Sequence, residues 1–141
     1  MRQYYKSTSK SVYHETAAGG SALDSSTTIA PSGTRVCLRS FELSSGAPHY
    51  QNANITQASP AFVYFEKMDS SNTEVLKMPI AFGGKGAVAA LGGGPLVPSS
   101  FMTIPGPGIL FNDGMRVRIT MPANPGTTGP IFALVNLVYS I

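Results

Sequence analysis

Apolar and polar residues alternate with a period of two along much of this chain. In "MRVRITM" (115–121), Met115, Val117, Ile119 and Met121 alternate with Arg116, Arg118 and Thr120, which predicts a strand with one face in a core. "VLKMPIAF" (75–82) places Leu76, Met78, Ile80 and Phe82 on one face and Lys77, Pro79 and Ala81 on the other. Pro79 has no amide hydrogen, so this strand is expected at a sheet edge or interrupted. "AFVYFEKM" (61–68) is dense in the aromatic and β-branched residues that strands favour. In "TRVCLRSFELS" (34–44) the apolar parity shifts between Leu38 and Phe41, which predicts a bulge or a strand apolar on both sides. "FMTI" (101–104) follows, and "IFALVNLVYSI" (131–141) is an apolar strand running to the last residue.

The connections carry the turn chemistry. Asn112-Asp113-Gly114 stands between "GILF" and the alternating strand, where residues tolerant of positive φ predict a tight hairpin that sets the next register. "GAPHYQNANITQASP" (46–60) reads as a long connection and "GGKGAVAALGGGPLVPSS" (83–100) as a glycine-rich loop. Prolines 105, 107, 122, 125 and 130 leave no room for a long helix, and "AVAAL" is too short to matter alone. Residues 1–33 are rich in Ser, Thr, Ala and Gly, and only "SVYHETA" is strand-like, so they read as an extended arm that gains order from whatever it lies on. Seven or so short strands without a helical period give an all-β fold. The expected architecture is a jelly-roll-like antiparallel β-sandwich over residues 34–141, preceded by the N-terminal arm at 1–33.

Composition changes this picture in one respect. Charged residues are only 12 % of the 141, against roughly 25 % in ordinary soluble domains, while hydrophobic residues are 43 %. A surface with so few charges is expected to be covered in part by other subunits. The net charge of +3 belongs entirely to Arg2, Lys6 and Lys10, because the remainder of the chain balances seven basic against seven acidic residues. A neutral body argues against a nucleic-acid surface, which needs clustered Lys and Arg. The arm interleaves those three cations with Tyr4, Tyr5 and Tyr13, which suits a strap on an acidic neighbouring subunit better than nucleic acid or a membrane. Leu91, Leu96 and Val97 in the glycine-rich loop are further candidate contacts, with glycines letting the backbone approach a neighbour.

Candidate chemistry is sparse. Lys85 in "GGKGA" lacks the spacing, the Ser or Thr and the following helix of a phosphate loop. His14 and His49 show no metal-ligand spacing, and Cys37, within "VCL", reads as a small buried residue. Ser71 and Ser99 have no evident base, and Asp69, Glu74 and Asp113 sit where carboxylates cap turns. Asn54-Ile55-Thr56 fits the glycosylation sequon, a pattern frequent by chance. No catalytic residue, cofactor or metal is expected, and the chain is read as not an enzyme. "MRQYYKSTSK" does not lead into an apolar segment, so no signal peptide is expected, and no apolar run is long enough for a membrane helix.

The order of elements from residue 60 onward, with Gly108, Ile109, Phe111 and Gly114 ahead of the alternating strand and a hydrophobic strand at the end, resembles small β-sandwich virion proteins of tailed bacteriophages. The resemblance implies a structural virion protein, made in the host cytoplasm. It would be a head decoration or cement protein bound to the major capsid protein or other virion subunits, as a homo-oligomer with a trimer favoured. A tail, fibre or portal-adaptor component is the structural alternative. A carbohydrate-binding sandwich is the alternative of another class, with Tyr50 and Asn52 as its candidates. The glycine-rich loop and the N-terminal arm have no counterpart in the pattern.

Overall fold

The computed structural model describes residues 6–17, 19–46, 61–80, 96–104, 106, 108–123 and 130–141, with 96–102 described by their backbone alone. Among the described residues there are nine strands: β1 (Ser7–Thr16), β2 (Leu23–Ala30), β3 (Val36–Gly46), β4 (Phe62–Glu66), β5 (Glu74–Pro79), β6 (Leu96–Thr103), β7 (Ile109–Phe111), β8 (Met115–Met121) and β9 (Ile131–Ser140). They form two antiparallel sheets. The first has the order β1-β9-β3-β6, with β7 also paired to β3, and the second has the order β2-β8-β4-β5. The first half of the chain thus pairs with the second half in reverse: β1 with β9, β2 with β8, β3 with β6 and β7, and β4 with β5. Successive pairs alternate between the sheets, as in a long hairpin rolled into a jelly roll.

Alternation is what fixes the layers. Ile131, Ala133, Val135, Leu137 and Tyr139 on β9, and Met115, Val117, Ile119 and Met121 on β8, are all buried and face one another across the sandwich. Phe41 of β3 and Phe65 of β4 meet between the sheets with ring centroids 5.0 Å apart. Each fully buried side chain of this size contributes about 1.5–3 kcal/mol of transfer free energy, so the interlayer holds most of the stability. The parity shift read in β3 is a bulge, because its register against β9 slips between Leu38 and Ser40. That slip lets Leu38 and Phe41 both reach the core. Pro79 ends β5, which is an edge strand.

Residues 7–16 and 23–30, assigned from their composition to an extended arm, are edge strands of the two sheets. β1 pairs with β9 over ten consecutive positions, and β2 pairs with β8. An edge strand needs only one inward row, and Val12, Thr16 and Ala30 suffice for it. The low hydrophobicity of this region therefore reflects edge position. Likewise β6 begins at Leu96, within the segment read as a glycine-rich loop.

The hairpin expected at Asn112-Asp113-Gly114 is not formed. β7 pairs with β3 in one sheet and β8 with β2 and β4 in the other, so these residues turn the chain across the sandwich. A type I′ hairpin needs two consecutive positive φ values, and here only Gly114 (φ 73°) has one. Asp113 is instead held by the β2–β3 turn, where its Oδ1 accepts from Ser32 Oγ (2.7 Å) and Gly33 N (2.6 Å). These hydrogen bonds keep its carboxyl below the usual carboxylate range, Ser32 contributing most. The Asp113 carbonyl accepts from Met68 N, and Gly114 N donates to Thr34 O, so one corner ties three connections together.

A Cβ on Gly114 would overlap the Pro31 carbonyl oxygen and lie 2.7 Å from the Ala30 oxygen, on a backbone at positive φ. At Gly33 (φ 86°) the space is open. Gly114→Ala is therefore expected to destabilise the fold by about 3 kcal/mol and Gly33→Ala by about 1 kcal/mol. Urea denaturation measures both, and equal losses would show that the corner is not under steric constraint.

Candidate functional site

The described surface offers two sheet faces. On the first sheet, the outward rows run across β1, β9 and β3 as Glu15–Phe132–Gly46, Tyr13–Leu134–Ser44, Ser11–Asn136–Glu42 and Ser9–Val138–Ser40. Ser7–Ser140–Cys37, extended to Leu110 on β7, closes the series. A sheet face meant for water alternates apolar-in with polar-out. β9 departs from that rule, because its outward residues include Phe132, Leu134 and Val138, all half-buried. Tyr13 is 52 % exposed and stacks on Phe132 with centroids 6.1 Å apart, forming a raised aromatic end. Its hydroxyl donates to Glu15 Oε2, and burial, then that hydrogen bond, push its pKa upward. Leu110 is exposed at the opposite end. Between these ends lies a depression of about 280 Å³ floored by Asn136 and Val138 and walled by Ser9, Ser11, Ser40 and Glu42. Short serine side chains beside Asn136 leave that space open, and Ser11 Oγ donates to Asn136 Oδ1.

The second face is polar and internally paired. Its rows are Ser26–Arg118–Tyr64–Lys77, Thr28–Arg116–Glu66–Glu74 and Asp24–Thr120–Phe62–Pro79. Glu66 is buried and takes Arg116 Nε on one carboxylate oxygen and Arg118 Nε, at 2.8 Å, on the other. Arg118 lies 3.8 Å from the Tyr64 ring centroid, and Lys77 Nζ lies 4.1 Å from that of Phe62. Burial opposes the Arg118 charge, but Glu66 and Asp24 hold its pKa above the ordinary value. Arg116, Arg118 and Lys77 equal Asp24, Glu66 and Glu74 in number, so this face is formally neutral, and its centre is fixed where Glu66 holds the two arginines.

The edges are closed to strand addition by devices natural sheets use. On β1, Lys10 falls on the inward row with Val12, and its Nζ reaches the Thr28 carbonyl of β2 at 3.3 Å. β2 carries a register shift between Thr28 and Ala30, β5 carries Pro79, and β6 carries Pro98 opposite a shift between Leu43 and Ser45.

Of the contact residues proposed from sequence, Lys10 is exposed and its ammonium donates to the Thr28 carbonyl across the edge of the sandwich, and Lys6 is exposed just before β1. The backbones of Leu96 and Val97 pair with Gly46 and Ser45. Arg2, Tyr4, Tyr5 and Leu91 lie outside the described residues, as do His49, Tyr50, Asn52, Asn54 and Lys85. His14 is half-buried on the inward row of β1, where burial lowers its pKa. Cys37 is half-buried on the outer face. Among the described residues, no group of three His, Cys, Asp or Glu side chains is placed to hold a metal ion, and no helix is long and apolar enough to cross a membrane. Sequence reasoning missed the Glu66 clamp and the depression, since both depend on cross-strand partners distant in the chain.

No protein-family model and no curated protein matches this chain. Solved structures do. A chain of the Bacillus endospore appendages, described as disulfide-linked pili, is similar over 99 % of this chain and 92 % of its own length, with 12 % identity and a TM-score of 0.44. VP2 of the infectious bursal disease virus subviral particle is similar over 96 % of this chain and 42 % of its own, with 10 % identity and a TM-score of 0.31. Neither likeness enters the argument about function, which rests on the faces just described.

The Glu66 clamp is separable from the exposed pair beside it. Glu66→Ala strands two arginines and is expected to cost about 2–3 kcal/mol, below the full cost of breaking a buried pair because the arginines are partly solvated. Asp24, 63 % exposed at its side chain and 3.4 Å from Arg118 Nη1, should cost less than about 0.5 kcal/mol when changed to Ala. Thermal or urea unfolding of both variants checks this.

Proposed function

We propose that this chain is a structural virion protein of a tailed bacteriophage, a head decoration or cement protein that binds the outer capsid surface and stabilises it as a homo-oligomer. The observation that carries the reading is the outward row of β9. Phe132, Leu134 and Val138 occupy positions that a water-facing sheet fills with polar side chains, in a chain with half the usual charge. A subunit that spends its life in contact with others uses such a face for adhesion. The jelly-roll order adds support, since viral capsid domains use it, although lectins and cupins do too and a fold does not fix a function. The closed edges direct contact to the faces, as suits a subunit that must attach in bounded numbers and not polymerise by strand addition.

Copy number tests the reading. Particles banded on a density gradient and analysed by quantitative mass spectrometry should carry the chain in hundreds of copies, in keeping with the repeated symmetry of a shell. About a dozen copies or fewer would place it in the tail or neck. Absence from purified particles would overturn the structural reading.

A further inference from the structure

The outer face of the first sheet carries its own complement. Its raised end is the Tyr13–Phe132 pair, in the rows of Leu134 and Phe132. Its low end is the depression over Asn136 and Val138, flanked by Ser9, Ser11, Ser40 and Glu42. The two lie about three residues apart along β9, roughly 10 Å at the usual strand rise. A two-fold axis that lies in the face, crosses β9 near Val135 and Asn136 and runs obliquely to it carries each raised end over the other copy's depression. That is the isologous arrangement in which residue i meets j and j meets i.

We propose that this face pairs with the same face of a second copy, each copy's Tyr13 seated in the depression of the other; the proposal rests on reading the face as adhesive. Area agrees with the assignment. Four strands about 4.8 Å apart and about ten residues long present roughly 630 Å². Two such faces bury about 1,300 Å², within the range of about 1,200–2,000 Å² of stable specific interfaces. The chemistry agrees too. Tyrosine buries a large ring at little entropic cost, and its hydroxyl, which donates to Glu15 in the single chain, exchanges that partner for an acceptor of the depression, Glu42 or the Asn136 amide oxygen. Apolar Phe132, Leu134 and Val138 surround the contact, and the second face, whose two arginines are held by Glu66 and whose Lys77 lies over the Phe62 ring, is left for other partners.

Sedimentation equilibrium of the full chain should give twice the chain mass of 14.8 kDa. Ser40→Trp, which fills the depression from its wall, should weaken dimerisation by about tenfold or more. Lys77→Glu on the opposite face should leave it unchanged, and circular dichroism controls for folding of both variants. In a Cys37→Ser background, mixing a Tyr13→Cys chain with a Ser40→Cys chain should give a cross-linked pair under mild oxidation, more than either chain alone. A monomer, a trimer, an unaffected dimer in Ser40→Trp, or Tyr13→Cys chains that link chiefly to themselves would overturn the pairing. None of these outcomes bears on copy number in particles, so the pairing and the virion reading fail separately.

Discussion

Everything in this molecule leans on β9. It is one of the two interior strands of its sheet, paired to β1 along its whole length and to β3 along most of it, and its inward row is buried in the core. Among the described strands it comes last and its partner β1 first, so the jelly roll closes only when segments far apart in the sequence pair. Nearly all pairings in the fold are long-range in sequence, which makes the structure cooperative and predicts slow folding relative to helical domains of this size. The same strand supplies the apolar outer row, so the core and the face proposed to be adhesive lie on opposite sides of one ten-residue segment.

Where one strand carried its own pattern, the sequence was legible. The alternation of Met115 to Met121, the parity slip between Leu38 and Phe41, and the edge position implied by Pro79 all hold in the fold. Legibility failed where the decisive partner is remote. Ser7–Thr16 looks too polar for a core because its hydrogen bonds, more than its side chains, attach it to β9. Asn112-Asp113-Gly114 has hairpin chemistry, yet Ser32 and Gly33, about eighty residues earlier, capture Asp113 and turn the segment into a corner. On the surface, "IFALVNLVYSI" already showed apolar residues of both parities, but the depression beside Asn136 depends on serines from two other strands. Glu66 gave no sign of being buried, because what buries it is Arg116 and Arg118, fifty residues away.

The distribution of charge explains how a body so poor in charged residues stays specific. Its pairs are spent on fixing one face: Glu66 holds two arginines, of which Arg118 lies over Tyr64, and Lys77 covers Phe62 and Tyr64. The other face carries the apolar β9 row among serines and Asn136, with Glu15, Glu42 and Arg39 as its charged side chains. Edge strands that could template uncontrolled addition are blunted by an inward lysine, prolines and bulges. On the proposed reading, contact is thereby directed to the faces, which limits the number of neighbours.

Because the β9 row of that face is apolar, its remaining side chains are mostly uncharged and the body is neutral, association through it would gain little from long-range charge. The most direct measurement of this central claim is the amount of assembled protein as salt rises from ~0.1 M to ~1 M, a change that shortens the Debye length from about 10 to 3 Å. Assembly through the β9 face should persist, losing only the share owed to Arg2, Lys6 and other exposed cations. Complete release over that range would show that charge holds the subunits together and would contradict the account.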